Sequence, residues 1–240
     1  MNLQTQKSFV NKFLVLFAVV GFVFLTIIGA TNANGGVKAD FDGDGKSDIS
    51  VFRRSDGLWH IAKSSGGYSS IRWGSSTDFP TPGDYDGDGK TDVAVFRFAG
   101  YSAIPNPCFF YVLKSSDNNF FAKQWGTSSY IIFDYPLING DFDGDRVTDF
   151  SVYEGQDYIP ATVRFKTLRS ADNTASVTSW GYNIDRQTLG DYDGDGKTDI
   201  AVFRSGVWFI KRSSDEAVVN YFFGNPSDIP LTMPNSNVYY

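Results

Sequence analysis

Residues 190–203 read Gly-Asp-Tyr-Asp-Gly-Asp-Gly-Lys-Thr-Asp-Ile-Ala-Val-Phe: an acidic nonapeptide, Asp191 to Asp199, running straight into a short apolar strand. Three near copies precede it, Asp40 to Asp48, Asp84 to Asp92 and Asp141 to Asp149, and the four starts lie 44, 57 and 50 residues apart. Self-similarity at such a period marks a repeat architecture. After each nonapeptide comes a strand pattern: Ile49-Ser-Val-Phe52, Val93-Ala-Val-Phe96, Phe150-Ser-Val-Tyr153 and Ile200-Ala-Val-Phe203. An aromatic strand follows (Leu58 to Ile61, Phe110 to Leu113, Val163 to Lys166, Val207 to Ile210), then a polar turn. Each unit ends in a strand closing on an aromatic-Gly pair: Trp73-Gly74, Trp125-Gly126, Trp180-Gly181 and Phe223-Gly224.

With a short strand leading into each acidic loop, the count is four antiparallel strands per unit of roughly 50 residues. Aromatic residues make up 17% of the chain, with 24 Gly and only 2 Met, and no helical period holds after the N-terminal segment. Four-stranded units of this length predict an all-β fold, a β-propeller of four blades at about 36–74, 80–126, 137–181 and 188–224. The strand after each acidic loop is apolar on both faces, as expected when neighbouring blades cover both sides. A β-sandwich does not account for a fourfold repeat.

Within each nonapeptide, carboxylates stand at positions 1, 3, 5 and 9, and alternate oxygens on a curled loop can converge on one hard cation. The expected ligands are Asp40, Asp42, Asp44 and Asp48; Asp84, Asp86, Asp88 and Asp92; Asp141, Asp143, Asp145 and Asp149; Asp191, Asp193, Asp195 and Asp199. The backbone carbonyls of Lys46, Lys90, Val147 and Lys197, at position 7, complete the sets. Calcium accepts about 6 to 8 oxygens, whereas magnesium demands stricter geometry, so up to four Ca²⁺ are expected. An EF-hand would need a bidentate Glu at position 12, where Val51, Val95, Val152 and Val202 stand inside strands. These loops hold 16 of the 27 acidic residues of a chain with net charge -6. The third loop departs from the pattern: Arg146 replaces Gly45, Gly89 and Gly196 of the others, which predicts the weakest site.

The acidic nonapeptide set between blade strands and followed by Phe/Trp-Gly resembles the FG-GAP repeats of integrin α-subunit propellers. Its spelling is similar to the VCBS-type repeats of bacterial exported proteins, and the resemblance covers about residues 36–224. It implies a calcium-stabilised propeller used in adhesion or ligand binding.

The first 33 residues differ in kind: Lys7 and Lys12 precede an uncharged run from Phe13 to Ile28, and small residues lead to Ala33. That order predicts a secretory signal peptide over 1–33, the alternative being an uncleaved membrane anchor. Either places the rest, 34–240, outside the cytosol, secreted or at the cell surface. A pI near 4.7 excludes nucleic acid as partner. The single Cys, Cys108, excludes a disulfide framework and reads as a buried thiol, and the single His, His60, excludes multi-His metal sites. Acids outside the loops show no paired arrangement, so no enzyme is expected and no catalytic residue is assigned. A propeller-based carbohydrate-active enzyme and a purely structural surface protein are the alternatives to a binding or adhesion module.

In an antiparallel meander the acidic loops share one rim, and the long second turns of repeats 2 and 3 fall on the other. Those turns carry Tyr101, Asn106 and Tyr158, suited to an extracellular protein or carbohydrate ligand. The segment 225–240 bears on closure. Its Ser227-Asp228-Ile229-Pro230-Leu231 matches Thr77-Asp78-Phe79-Pro80-Thr81, which leads into repeat 2. Residues 231–240 are expected to pair with repeat 1 and close a monomeric ring; the alternative is a homodimer of open halves making eight blades.

Overall fold

The computed structural model describes residues 39–98, 100, 106–128, 139–155 and 160–230. The signal segment 1–33, Tyr101, Tyr158 and residues 231–240 lie outside the described residues. Every element among those described is a β-strand, and none is a helix long and apolar enough to cross a membrane.

Four antiparallel sheets follow the four repeats. The first holds β1 (Ile49–Arg53), β2 (Leu58–Ala62) and β3 (Tyr68–Arg72). The second holds β4 (Phe79–Pro80), β5 (Val93–Arg97), β6 (Pro107–Leu113) and β7 (Phe120–Thr127). In the third are β8 (Phe150–Glu154), β9 (Thr162–Leu168) and β10 (Ala175–Tyr182). The fourth holds β11 (Arg186–Gln187), β12 (Ile200–Arg204), β13 (Val207–Lys211) and β14 (Val218–Phe222). The second and fourth sheets show the expected four strands, their short lead-in strands β4 and β11 pairing with β5 and β12. In the first and third sheets three strands are described, and most residues leading into them lie outside the described set.

Three apolar cores join the sheets in chain order. Between the first and second, Trp59 and Ile61 meet Val93 and Val95. Between the second and third, Ala94, Phe96 and Phe110 meet Phe150 and Val152. Between the third and fourth, Tyr153, Val163 and Phe165 meet Leu189 and Val202. Along each strand after an acidic loop, alternate residues therefore face the preceding and the following sheet, which makes β5 and β8 apolar on both sides. This is the stacking of sheets in a propeller-like fold. Cys108 is fully buried in the second core, as expected.

One expectation needs correction. The strand β1 is not covered on both sides: Ile49 and Val51 are 78% and 58% exposed, because no described sheet precedes the first. The sequence of β1 matches that of β5, so the difference lies in the neighbour and not in the strand.

A tryptophan fastens each pair of sheets. The indole Nε1 of Trp73 donates to the Tyr111 carbonyl at 3.0 Å, that of Trp125 to Lys166 at 3.1 Å, and that of Trp180 to Phe209 at 3.2 Å. The recurrent Trp-Gly pair thus buries a ring in the next sheet and satisfies its one polar atom there.

Candidate metal centres

Each acidic loop is drawn shut by its own carboxylates. Asp40 takes the Gly43 N–H on Oδ1 at 2.7 Å and the Gly45 N–H on Oδ2 at 2.8 Å. Asp84, Asp141 and Asp191 take the equivalent two N–H groups of their loops. At position 9, Asp48, Asp92, Asp149 and Asp199 accept the position-2 N–H on one oxygen. Their backbone N–H groups close the loop on the residue before position 1, as in Asp92 to Gly83 at 2.7 Å.

Successive loops also bond to one another. Thr91, Thr148 and Thr198 donate their N–H to the carbonyls of Asp40, Asp84 and Asp141 in the preceding loop. This brings the threonine so close that a Cβ at Gly83 would lie 2.7 Å from the Thr148 hydroxyl, which accounts for glycine there. The expected rim of acidic loops is therefore a bonded row.

Carboxylate oxygens at positions 1, 3 and 9 converge in all four repeats: Asp40, Asp42 and Asp48; Asp84, Asp86 and Asp92; Asp141, Asp143 and Asp149; Asp191, Asp193 and Asp199, each set within 4.8 Å. Oxygens around one calcium at about 2.4 Å lie at most about 4.8 Å apart, so three hard oxygen donors in each loop fit that ion. The position-5 acids stand outside these sets. Asp44, Asp88, Asp145 and Asp195 instead accept the position-7 N–H of Lys46, Lys90, Val147 and Lys197 at 2.8–2.9 Å.

The structure adds residues that the sequence reading passed over as a polar turn. The turn after the second strand of each four-strand unit's core hairpin, β2–β3 in repeat 1, folds over the acidic loop. Ser64, Ser115, Ser170 and Ser213 donate their hydroxyls to Asp44, Asp88, Asp145 and Asp195 at 2.8–3.0 Å. Their N–H groups reach Asp48, Asp92, Asp149 and Asp199. Ser65, Ser116 and Ser214 donate to the position-3 acids Asp42, Asp86 and Asp193, each at 2.5 Å, and Ala171 offers Asp143 only its N–H at 3.3 Å. The signal was available: Lys/Arg-Ser-Ser/Ala recurs four times, beginning at Lys63, Lys114, Arg169 and Arg212.

Burial and mutual repulsion raise the affinity of four of these acids for a proton. Asp92 and Asp149 are pushed up to about 6, chiefly by burial, with Asp86 and Asp143 adding repulsion. Asp84 and Asp141 are raised for the same first cause. In the third loop Arg146 holds φ at 72°, beside 83° to 88° for Gly45, Gly89 and Gly196, so position 6 does require the left-handed region.

Comparison with known families gives a match: residues 40–95, from the first acidic loop to the strand after the second, match the FG-GAP-like repeat family. The chain carries an FG-GAP-like repeat. No curated protein and no solved structure matches it significantly. The matched segment covers the first two loops, and the same hydrogen-bond pattern recurs in the third and fourth.

On the opposite rim, Asn106 lies beside Ser128, which donates its N–H to the Asn106 carbonyl at 2.9 Å and accepts the Asn106 N–H on its hydroxyl at 3.1 Å. Also at that end of the strands is a pocket of about 210 Å³, lined by Thr162, Ser179, Trp180, Tyr182, Arg204 and Phe209. His60 is bonded through its Nδ1 to the Tyr68 hydroxyl, in a stacked pair of rings.

Proposed function

We propose that this protein is an exported calcium-binding β-propeller that works as a non-catalytic binding or adhesion module outside the cell or at its surface. The observation that carries the reading is the fourfold recurrence of one cluster, three aspartates converging under a serine turn. Calcium would be held by the position 1, 3 and 9 carboxylates and would lock the row of loops, leaving the opposite rim to meet a ligand. That rim holds Asn106 and the pocket of Trp180, Tyr182 and Phe209, whose rings and hydroxyls suit a carbohydrate or an extracellular protein. The non-catalytic reading rests on how the buried acids outside the loops are used. Asp78 pairs with Arg97, Asp185 with Arg204, and Glu154 with Arg164 and Lys166.

Elemental analysis and thermal unfolding with and without EGTA test it. A ligand confined to the folded state stabilises it by about 2.7 kcal/mol at a hundredfold excess over Kd. Melting should fall on chelation and recover with calcium in preference to magnesium. A calcium-free protein with the same melting temperature in EGTA would sink the reading.

A further inference from the structure

In the second sheet Asp78, just before β4, pairs with Arg97 at the end of β5; in the fourth, Asp185, just before β11, pairs with Arg204 at the end of β12. The lead-in strand and its aspartate thus belong to the blade that follows. The third sheet departs from this scheme, with Glu154 at the end of β8 where β5 and β12 carry arginine; in the first sheet and after the fourth, two residues lack the partner it would give them. Arg53 ends β1 as Arg97 ends β5, yet among the described residues its one ion pair is with Asp56, at 3.6 Å. Asp228 stands where Asp78 and Asp185 stand and takes the Asn225 N–H at 2.8 Å as Asp78 takes that of Ser75, yet among the described residues no cation pairs with it. The inner edge of β1 carries no described strand, whereas β4 and β11 fill that edge in the second and fourth sheets.

The faces at these two ends match as well. Trp73 of the first sheet enters the second, while its counterpart Phe223 of the fourth is 77% exposed. Val93 and Val95 receive the first sheet, while their counterparts Ile49 and Val51 face solvent. At Gly74 and Gly181 a Cβ would meet Val95 and Val202 of the next blade at 2.9 Å; at Gly224 the nearest atoms are those of Asp228 and Phe203. The position left open there is that of Val51.

We propose that residues 228–230 of a second copy of this chain add an inner strand to the first sheet beside β1, with Asp228 gripping Arg53, so that two copies close on each other about a twofold axis. The occupant is a second copy because the chain's own Asp228 and Ile229 are described and do not lie on β1. The apolar seam is the one already made three times within the chain, and its aspartate–arginine pair the one made twice, continued between chains. The registers Phe79 to Phe96 and Arg186 to Phe203 place Ile229 opposite Phe52 and Pro230 opposite Val51. A twofold pair forms both seams at once and leaves neither edge open. The Phe223 side chain has no N–H to donate, so the seam is selected by the aspartate–arginine pair rather than by an indole.

Two differently tagged full-length chains, co-expressed and purified by one tag in mild detergent, test this. Wild-type chains should co-purify. Asp228→Arg paired with itself, and Arg53→Asp paired with itself, should each lose co-purification by about tenfold or more, since like charges then meet at both seams. The mixture of one Asp228→Arg chain with one Arg53→Asp chain rebuilds an opposite pair at each seam and should co-purify again. Chains carrying Arg53→Cys and Asp228→Cys, mixed and oxidised, should give a disulfide-linked dimer. Wild-type chains that stay separate, single variants that co-purify unchanged, or a mixture that regains neither contact nor cross-link each overturn the proposal; an oxidised double-cysteine chain that cross-links only to itself assigns the seam to a closed monomeric ring.

Discussion

Arg97 grips Asp78 with two parallel hydrogen bonds, Nε to Oδ1 at 2.8 Å and Nη2 to Oδ2 at 2.7 Å. The guanidinium lies over the Tyr111 ring at 4.7 Å, and the Asp78 side chain has no solvent exposure. The carboxylate also takes the Ser75 N–H at 2.8 Å, which pins the crossover from the first sheet to the second. Arg204 repeats the arrangement with Asp185 and Phe209, and also lies over the Tyr182 ring. A forked pair of this kind fixes where one blade ends and the next begins.

Removing the arginine strands a buried charge. Arg97→Ala is expected to cost about 2–3 kcal/mol, because Asp78 keeps its burial and loses its counter-charge. Arg97→Lys should recover only part of this, since an ammonium cannot make the fork. Urea denaturation of the three proteins measures the difference; a loss for Arg97→Ala under about 0.5 kcal/mol would show that the pair contributes little.

Arg146→Gly should raise stability by about 1 kcal/mol, by relieving a non-glycine residue held at positive φ. The mirror substitution supplies the control. Gly196 has φ +88° and nothing within 4 Å of an added Cβ, so Gly196→Ala meets strain and no clash and should cost a similar amount. If the two changes do not oppose each other in thermal unfolding, position 6 does not govern loop energetics.

The acidic spacing and the strand order were legible in the sequence because both are local: carboxylates at alternate positions define the loop, and apolar alternation defines β5 or β12. What escaped was set by partners distant along the chain. Ser64 and Ser115 read as ordinary turn residues, since only the hairpin brings them over Asp44 and Asp88. Asp78 and Asp185 read as unremarkable acids in turns, although each is fully buried against an arginine 19 residues on. Ile49-Ser-Val-Phe52 and Val93-Ala-Val-Phe96 spell the same pattern, and nothing in either says which has a neighbour on both sides.

The serine turn invites a gain-of-contact experiment. Ala171 stands where Ser65, Ser116 and Ser214 bond the position-3 acid, and Asp143 has only its N–H at 3.3 Å. Ala171→Ser should add one hydrogen bond to a carboxylate, stabilising by about 1 kcal/mol, and Ser214→Ala should lose about as much. Under the calcium reading, the first change also tightens the third site. Equal melting temperatures for wild type and both variants would show that the serine turn does not hold the loop.

Acid should act in opposite directions on the metal-free and the calcium-loaded protein. Asp92 and Asp149 sit near 6 when folded because burial disfavours their charge, whereas the unfolded value is 3.8. A raised folded pKa means that the folded state binds the proton more tightly than the unfolded chain. That stabilisation is complete below about pH 4 and is lost as pH rises through about 6. Asp84 and Asp141 are shifted the same way. The exposed acids that move down, such as Asp117 at about 2, oppose this only below the range. In EGTA, melting should therefore rise between pH 7 and pH 5. With saturating calcium at pH 7, protons compete with the cation for the same oxygens, so the calcium-induced rise in melting should shrink over the same interval. Scanning calorimetry at pH 7, 6 and 5 with calcium or EGTA reads both slopes. A metal-free melting temperature that falls from pH 7 to pH 5 would remove Asp92 and Asp149 as the groups that govern the loops.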